Sequence, residues 1–258
     1  MNAEQVVSQK TQQNARKRPT HTFSQHWQSF FDKPFPNMLL RLIVMMLGLC
    51  FVAMGVALSR ATGLGTSPIS CVPAVLSFIT PLTIGTFTFL MNLIFVAIQI
   101  ILLRSQFHPL QLLQVIFVFI FSLMIDFFVP IYAAIPMTFY PVQILGSFVA
   151  CTFTAFGVFL QVKAALIMLP GDGVVLTIAR LFEKDLSKCK IAFDWLLVII
   201  AAIASLACLG GLFGVREGTV IMALCTGLIM KVFHLLTRNL GWVIPLQGHL
   251  TLTPKEQR

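Results

Sequence analysis

Charged side chains are scarce in this sequence: they make up 10% of its 258 residues, and only nine are acidic. A water-soluble domain is ordinarily about one-quarter charged, so a conventional solvent-facing surface is excluded. Paired thiols are lacking too. The six cysteines (Cys50, Cys71, Cys151, Cys189, Cys208 and Cys225) stand singly in apolar segments, with no CxxC and no histidine at ligand spacing. They read as small packing residues rather than metal ligands. No HExxH pair, Walker loop, nucleophile with a positioned base, or Gly-x-Ser with a membrane histidine is found, so no enzymatic activity and no cofactor are expected. Gly63-Leu64-Gly65-Thr66 is no dinucleotide fingerprint, because no strand precedes it.

Apolar residues are abundant, at 57%, and the mean hydropathy is +0.90. Six stretches approach the length of about 20 residues that a helix needs to cross a hydrocarbon layer. They are 38–59, 82–103, 110–130, 141–162, 191–213 and 219–236. The net charge of +9 could suggest a nucleic-acid partner, but the basic residues gather at the ends of the apolar runs, which is a topology signal. With six spans and a cytoplasmic N-terminus, 16 of the 18 lysines and arginines fall inside, leaving only Arg60 and Arg216 outside. Both termini are therefore expected on the cytoplasmic side, and no nucleic acid is expected as a partner.

The first 37 residues are polar and basic and the first apolar run is of full span length, so that run is expected to stay as an anchor rather than be cleaved. Residues 1–20 read as a disordered basic arm. Residues 21–37 read as an interfacial amphipathic helix, with Phe23, Trp27, Phe30 and Phe31 on one face. Residues 239–258 form a cytoplasmic tail.

Comparing the chain with itself at an offset of 102 residues pairs 51–72 with 153–174, with eight of 22 positions identical. The same offset pairs Asn92 with Asp194. Two membrane repeats follow, 38–130 and 141–238. Within each, after its first span, lies a segment too short to cross, 68–79 in one and 171–182 in the other. Twelve helical residues cover only about 18 Å. Glycine and proline precede both. If these short helices re-enter, each half has three spans and the halves are inverted, a common transporter plan. If they cross, there are eight spans and the halves are parallel. The cleaner charge partition favours re-entry. The expected fold is thus an all-α polytopic membrane protein with about six transmembrane helices and two short broken or re-entrant helices.

Gly63-Leu64-Gly65-Thr66-Ser67-Pro68-Ile69-Ser70, Pro170-Gly171-Asp172-Gly173 and Gly214-Val215-Arg216-Glu217-Gly218-Thr219 together resemble the YczE-type, YitT-like bacterial membrane proteins. The resemblance covers about residues 38–238, with Gln114, Asp126 and Asp194 as further touches. It departs at 164–169, where the second half lacks the glycines of the first. What it implies is an architecture and a bacterial inner membrane, more than an activity.

Ionisable groups inside a membrane are costly and mark pathways or paired contacts. Arg60 and Asp126 fall near external helix ends and read as an ion pair or as solute ligands. Lys163 and Asp172 stand in the same relation at the cytoplasmic side, where Asp172 could instead cap its short helix. Lys231 and His234 are close enough to a helix end to snorkel. Asp194 needs water, a cation or a donor, and Lys188 or Lys190 could supply one. Asn92 falls near the midplane with no lysine in local reach. Ser67 and Ser70 begin the first short helix, where backbone amides attract negative charge. Asn92, Asp194, Ser67, Ser70, Asp172, Gln114, Asp126 and Arg60 are therefore the expected solute or ion pathway. The expected function is a secondary transporter or permease for a small polar or anionic solute. The alternative is a structural or regulatory partner of another membrane complex, with the polar residues serving as interhelical glue. Expected partners are the lipid bilayer, an unidentified solute and, in an oligomer, further copies of the chain.

Overall fold

The computed structural model describes residues 35–104, 109–164, 166–184 and 186–239. The basic arm, nearly all of the interfacial helix and all but the first residue of the tail lie outside these. Among the described residues the chain is entirely helical: α1 (Phe35–Thr62), α2 (Pro68–Ile79), α3 (Ile84–Leu103), α4 (Leu113–Ala133), α5 (Tyr140–Ala164), α6 (Pro170–Leu181), α7 (Leu186–Leu209) and α8 (Glu217–Asn239), with a 3₁₀ turn at Pro109–Leu112 before α4. Five contain stretches long and apolar enough to span: Met38–Thr62, Ile84–Leu103, Leu113–Ala133, Tyr140–Ala164 and Lys188–Leu209. The sixth expected span falls in α8, whose Glu217–Thr226 is a shorter apolar stretch. Large apolar side chains such as Ile101, Phe127, Leu145, Trp195, Ile203 and Leu224 are exposed around the bundle. That is the reverse of a soluble surface and what lipid contact requires.

α1 and α5 form the central crossing. Gly48 lies opposite Gly157, Gly55 opposite Ala150 and Thr154, and Thr62 opposite Ser147, so the two helices run antiparallel. A Cβ on Gly157 would stand 2.6 Å from the Gly48 carbonyl oxygen and 2.7 Å from the Val52 amide nitrogen, both backbone atoms. Small residues let membrane helices approach this closely, and the contact itself supplies the dispersion energy that lipid cannot. Phe51 and Phe153, identical and 102 residues apart, meet here with ring centroids 6.0 Å apart. α4 flanks α1, with Ala57, Arg60 and Ala61 facing Val129 and Ala133 around a cavity of about 230 Å³. α8 flanks α5, where Cys151 Sγ and Thr226 Oγ1 are 3.3 Å apart and the Phe233 ring lies tilted against Phe156 and Phe159, with centroids 5.2 and 6.0 Å away.

α1 stops at Gly63, which adopts φ 71°, and Gly65 follows at φ 105°. Between them and α2 the chain is extended. It is held by Thr66 N donating to Gly214 O (3.2 Å) and Gly218 N donating to Leu64 O (2.8 Å). Pro68 then opens α2, fitting the first helical position because its missing N–H would have no helical partner there. At the other end of α2, Arg60 Nη1 donates to Ser77 Oγ, and the guanidinium sits 4.4 Å from the Phe78 ring centroid. The end of α2 therefore lies level with the end of α1. α7 runs parallel to α2, because Cys71 Sγ donates to Leu197 O (3.6 Å) while Val75 packs in one cluster with Ala201. α6 ends at Leu181 and α7 begins at Leu186, so the end of α6 is held near the opposite end of the bundle; the end that holds the ends of α1 and α2 is called outer and this one inner.

Candidate functional site

The starts of the two short helices meet in the middle of the bundle. A Cβ on Gly171 would be 2.4 Å from Ile69 Cδ1 and 3.6 Å from the Phe95 ring. Phe95, Val174 and Leu197 are buried together there, with Ile69, Val72, Met91 and Phe193 against them. Phe95 and Phe193, from α3 and α7, have ring centroids 5.4 Å apart. This contact is apolar and largely buried. Polar groups gather on either side of it.

On the outer side, a cavity of about 360 Å³ is lined by Arg60, Gly63, Gly65, Thr66, Ala74, Phe78, Leu212, Phe213, Gly214 and Arg216. Ser205 shapes its wall, donating to Gly211 O (2.6 Å) and accepting from Phe213 N (2.8 Å). Thr66 at its base is 1% exposed, and its hydroxyl has no hydrogen-bond partner. Arg216 is engaged by Glu217, Nε to Oε2 at 3.2 Å, and its Nη1 reaches Gly63 O at 3.4 Å. Backbone amide donation at the start of α8, and then Arg216, hold the Glu217 carboxyl below the ordinary range.

On the inner side, Lys190 Nζ lies 3.0 Å from Asp172 Oδ1 and 3.1 Å from Asp194 Oδ1. One lysine thus ties α6 to α7 through Asp172 while pairing with Asp194 one turn along its own helix. Gln99 Nε2 donates to Pro170 O (2.9 Å), fastening the start of α6 to α3.

The structure distributes the expected pathway residues between these two sides. Arg60 lines the outer cavity, and Ser67 Oγ donates to Ser70 Oγ (3.0 Å) at the α2 start without capping the helix. Asp172 and Asp194 form the inner cluster. Asp172 does not cap α6: Leu169 holds the cap position, and the carboxylate turns to Lys190 instead. Nor does it pair with Lys163, which lies over the Phe159 ring at 5.6 Å. Among the described residues no ion pair joins Arg60 and Asp126. Asp126 accepts from Thr83 Oγ1 (2.6 Å) and Gly85 N (2.8 Å), so it closes the start of α3. Asn92 is buried and donates to Thr88 O of its own helix (2.8 Å). Gln114 is buried at the start of α4 with its amide nitrogen unpartnered. Arg216 and Lys190 complete the two sides without having been on the expected pathway, Lys190 having been expected only as a candidate partner of Asp194, and Gln99 joins the inner side. For Arg216 the signal was already present, since it is one of only two external cations in the charge count.

Five helices long and apolar enough to span, with large apolar side chains exposed around them, define a multi-pass membrane protein that is all-helical among the described residues. The chain belongs to the Family of unknown function (DUF6198), whose model matches residues 39–235. No curated protein and no solved structure matches it.

Proposed function

We propose that the protein is a secondary transporter or permease of the bacterial inner membrane, carrying a small polar or anionic solute between two inverted halves. The observation that carries this reading is the meeting of two broken helices, Ile69 against Gly171, at the centre of the bundle. Broken helices facing each other at the midplane expose backbone polar groups where a solute can use them. In the first half, α2 ends level with the end of α1, as a re-entrant segment must.

Repeat mates also touch across antiparallel helices, Phe51 with Phe153. A two-fold axis relating two antiparallel helices is perpendicular to both, which places it in the membrane plane and makes the repeats inverted. α8 then serves as the sixth span, and both termini are cytoplasmic. In this arrangement the outer cavity is open, while the inner side is shut by Gln99 on Pro170 and by Lys190 between its two aspartates. Inward opening would part α6 from α3 and α7 and close α2 onto the 210–216 segment. This is alternation of two discrete packings rather than continuous deformation.

Single cysteines on a cysteine-free background test the topology. Positions Thr80 and Ala134 are expected to react with an impermeant maleimide from outside, and Glu183 only from inside. Thr80 protected outside but reactive inside would mean that α2 crosses, and the inverted plan would fall. Uptake into proteoliposomes then tests transport itself.

A further inference from the structure

The geometry points to the outer cavity as an oxoanion site, taking a phosphate or carboxylate group between Arg60 and the Thr66 hydroxyl. This deepens the transport reading by naming the class of solute, and it rests on that reading for its place on a pathway. Arg60 uses one donor on Ser77 and lays its plane on Phe78. Asp126, whose charge is felt at Arg60, lies beyond ion-pair distance of it, and its oxygens accept from Thr83 Oγ1 and Gly85 N. A guanidinium carries five donors in a planar fork that matches a carboxylate or phosphate, and most of this one's are unassigned. Arg216 contributes little net charge, being matched by Glu217, but its guanidinium stands at the cavity wall.

Thr66 is the independent sign. The residue is 1% exposed and borders the cavity, and its buried hydroxyl has no partner, a cost that an anion drawn in beside it relieves. Arg60, with no carboxylate within ion-pair distance among the described residues, gives the cavity a positive wall that disfavours a cation. The volume of about 360 Å³ sits at the small end of ligand sites, which suits a compact anion. Gly65 lets the cavity wall close up, since a Cβ there would stand 2.4 Å from Thr219 Oγ1 and 2.8 Å from the Arg216 amide nitrogen. Phe78, Leu212 and Phe213, all strongly exposed, form an apolar lip at the lipid boundary, so the oxoanion could arrive free or on a lipid headgroup.

The test is thermal unfolding of the full chain in a neutral detergent, titrated with sodium phosphate, sulfate, acetate and succinate against sodium chloride at equal ionic strength. At least one oxoanion is expected to raise the melting temperature saturably by about 3 °C or more. Arg60→Gln is expected to weaken its apparent affinity by about tenfold or more, the loss of a charged hydrogen bond. Thr66→Val, nearly isosteric, keeps the test open if the arginine variant does not fold, and is expected to weaken affinity several-fold. A parallel arm compares phosphatidylglycerol with phosphatidylcholine nanodiscs. A Thr66-dependent stabilisation by phosphatidylglycerol alone assigns the same chemistry to a lipid headgroup. No oxoanion effect beyond chloride in either arm, or an effect unchanged by Thr66→Val, overturns the site. Failure here with uptake of some other solute intact leaves the transport reading standing. Saturable, Thr66-dependent binding of phosphate with no uptake of any bound anion overturns transport and leaves the site.

Discussion

Replacing Lys190 by methionine is expected to destabilise the protein by about 2–3 kcal/mol, read as a fall in melting temperature of about 5–10 °C. The lysine is the one cation within ion-pair distance of both Asp172 and Asp194 among the described residues. Removing it leaves two carboxylates inside the apolar belt, each disfavoured there by about 2.5–3.5 kcal/mol on insertion scales. The side chains retain between about a quarter and a half of their exposure, so the loss is set below the 3–5 kcal/mol typical of a fully buried broken pair. Asp172→Asn and Asp194→Asn separately are expected to cost under about 1 kcal/mol, since each leaves a one-to-one pair. The triple variant, which combines Lys190→Met with both asparagine substitutions, is expected to recover most of what the single Lys190→Met loses. An unchanged melting temperature in Lys190→Met would show that water reaches the cluster, and the inner side would then not be shut.

At the α1–α5 crossing a single methyl group is expected to do comparable damage. Gly157→Ala places a Cβ 2.6–2.7 Å from two backbone atoms of α1, so relief requires that one helix move. The expected cost is about 3 kcal/mol, at the upper end for overpacking, and Gly157→Leu is expected to abolish monodisperse protein in size-exclusion chromatography. Gly63→Ala is the control. Nothing lies within 4 Å of its Cβ, and only the positive φ of 71° is strained, which costs about 1 kcal/mol. Equal tolerance of alanine at 157 and 63 would mean that the two helices are not in contact as described.

Much of the fold was legible because hydropathy and helix breaking are local. α2 occupies the expected 68–79 because Gly63, Gly65 and Pro68 leave the chain no other place to stop and restart a helix. α6 starts one residue earlier than expected, at Pro170, for the same reason that α2 starts at Pro68. The expected partners were legible only in part. Lys190 was one of two candidates for Asp194, because on a helix i and i+4 share a face. That the same lysine would also hold Asp172, from another helix, was not available from spacing. Asp126 looked like a partner for Arg60 by depth. Its oxygens instead go to Thr83 and Gly85, because the exposed amides at the start of α3 lie nearer to it.

The sequence by itself determined that this protein lives in a membrane, where its five long apolar helices lie, and where the two short helices break from them. Each of those depends on residues adjacent along the chain: transfer free energy adds over neighbours, and proline and glycine act on their own backbone. Only the tertiary structure decided which charges meet, that Ile69 and Gly171 touch, and that Arg60, Thr66 and Arg216 line one cavity. Such contacts depend on how closely whole helices approach, and that is set by side-chain volume at crossings such as Gly48 with Gly157. A contact between residues far apart in sequence leaves no periodic or compositional trace in either segment.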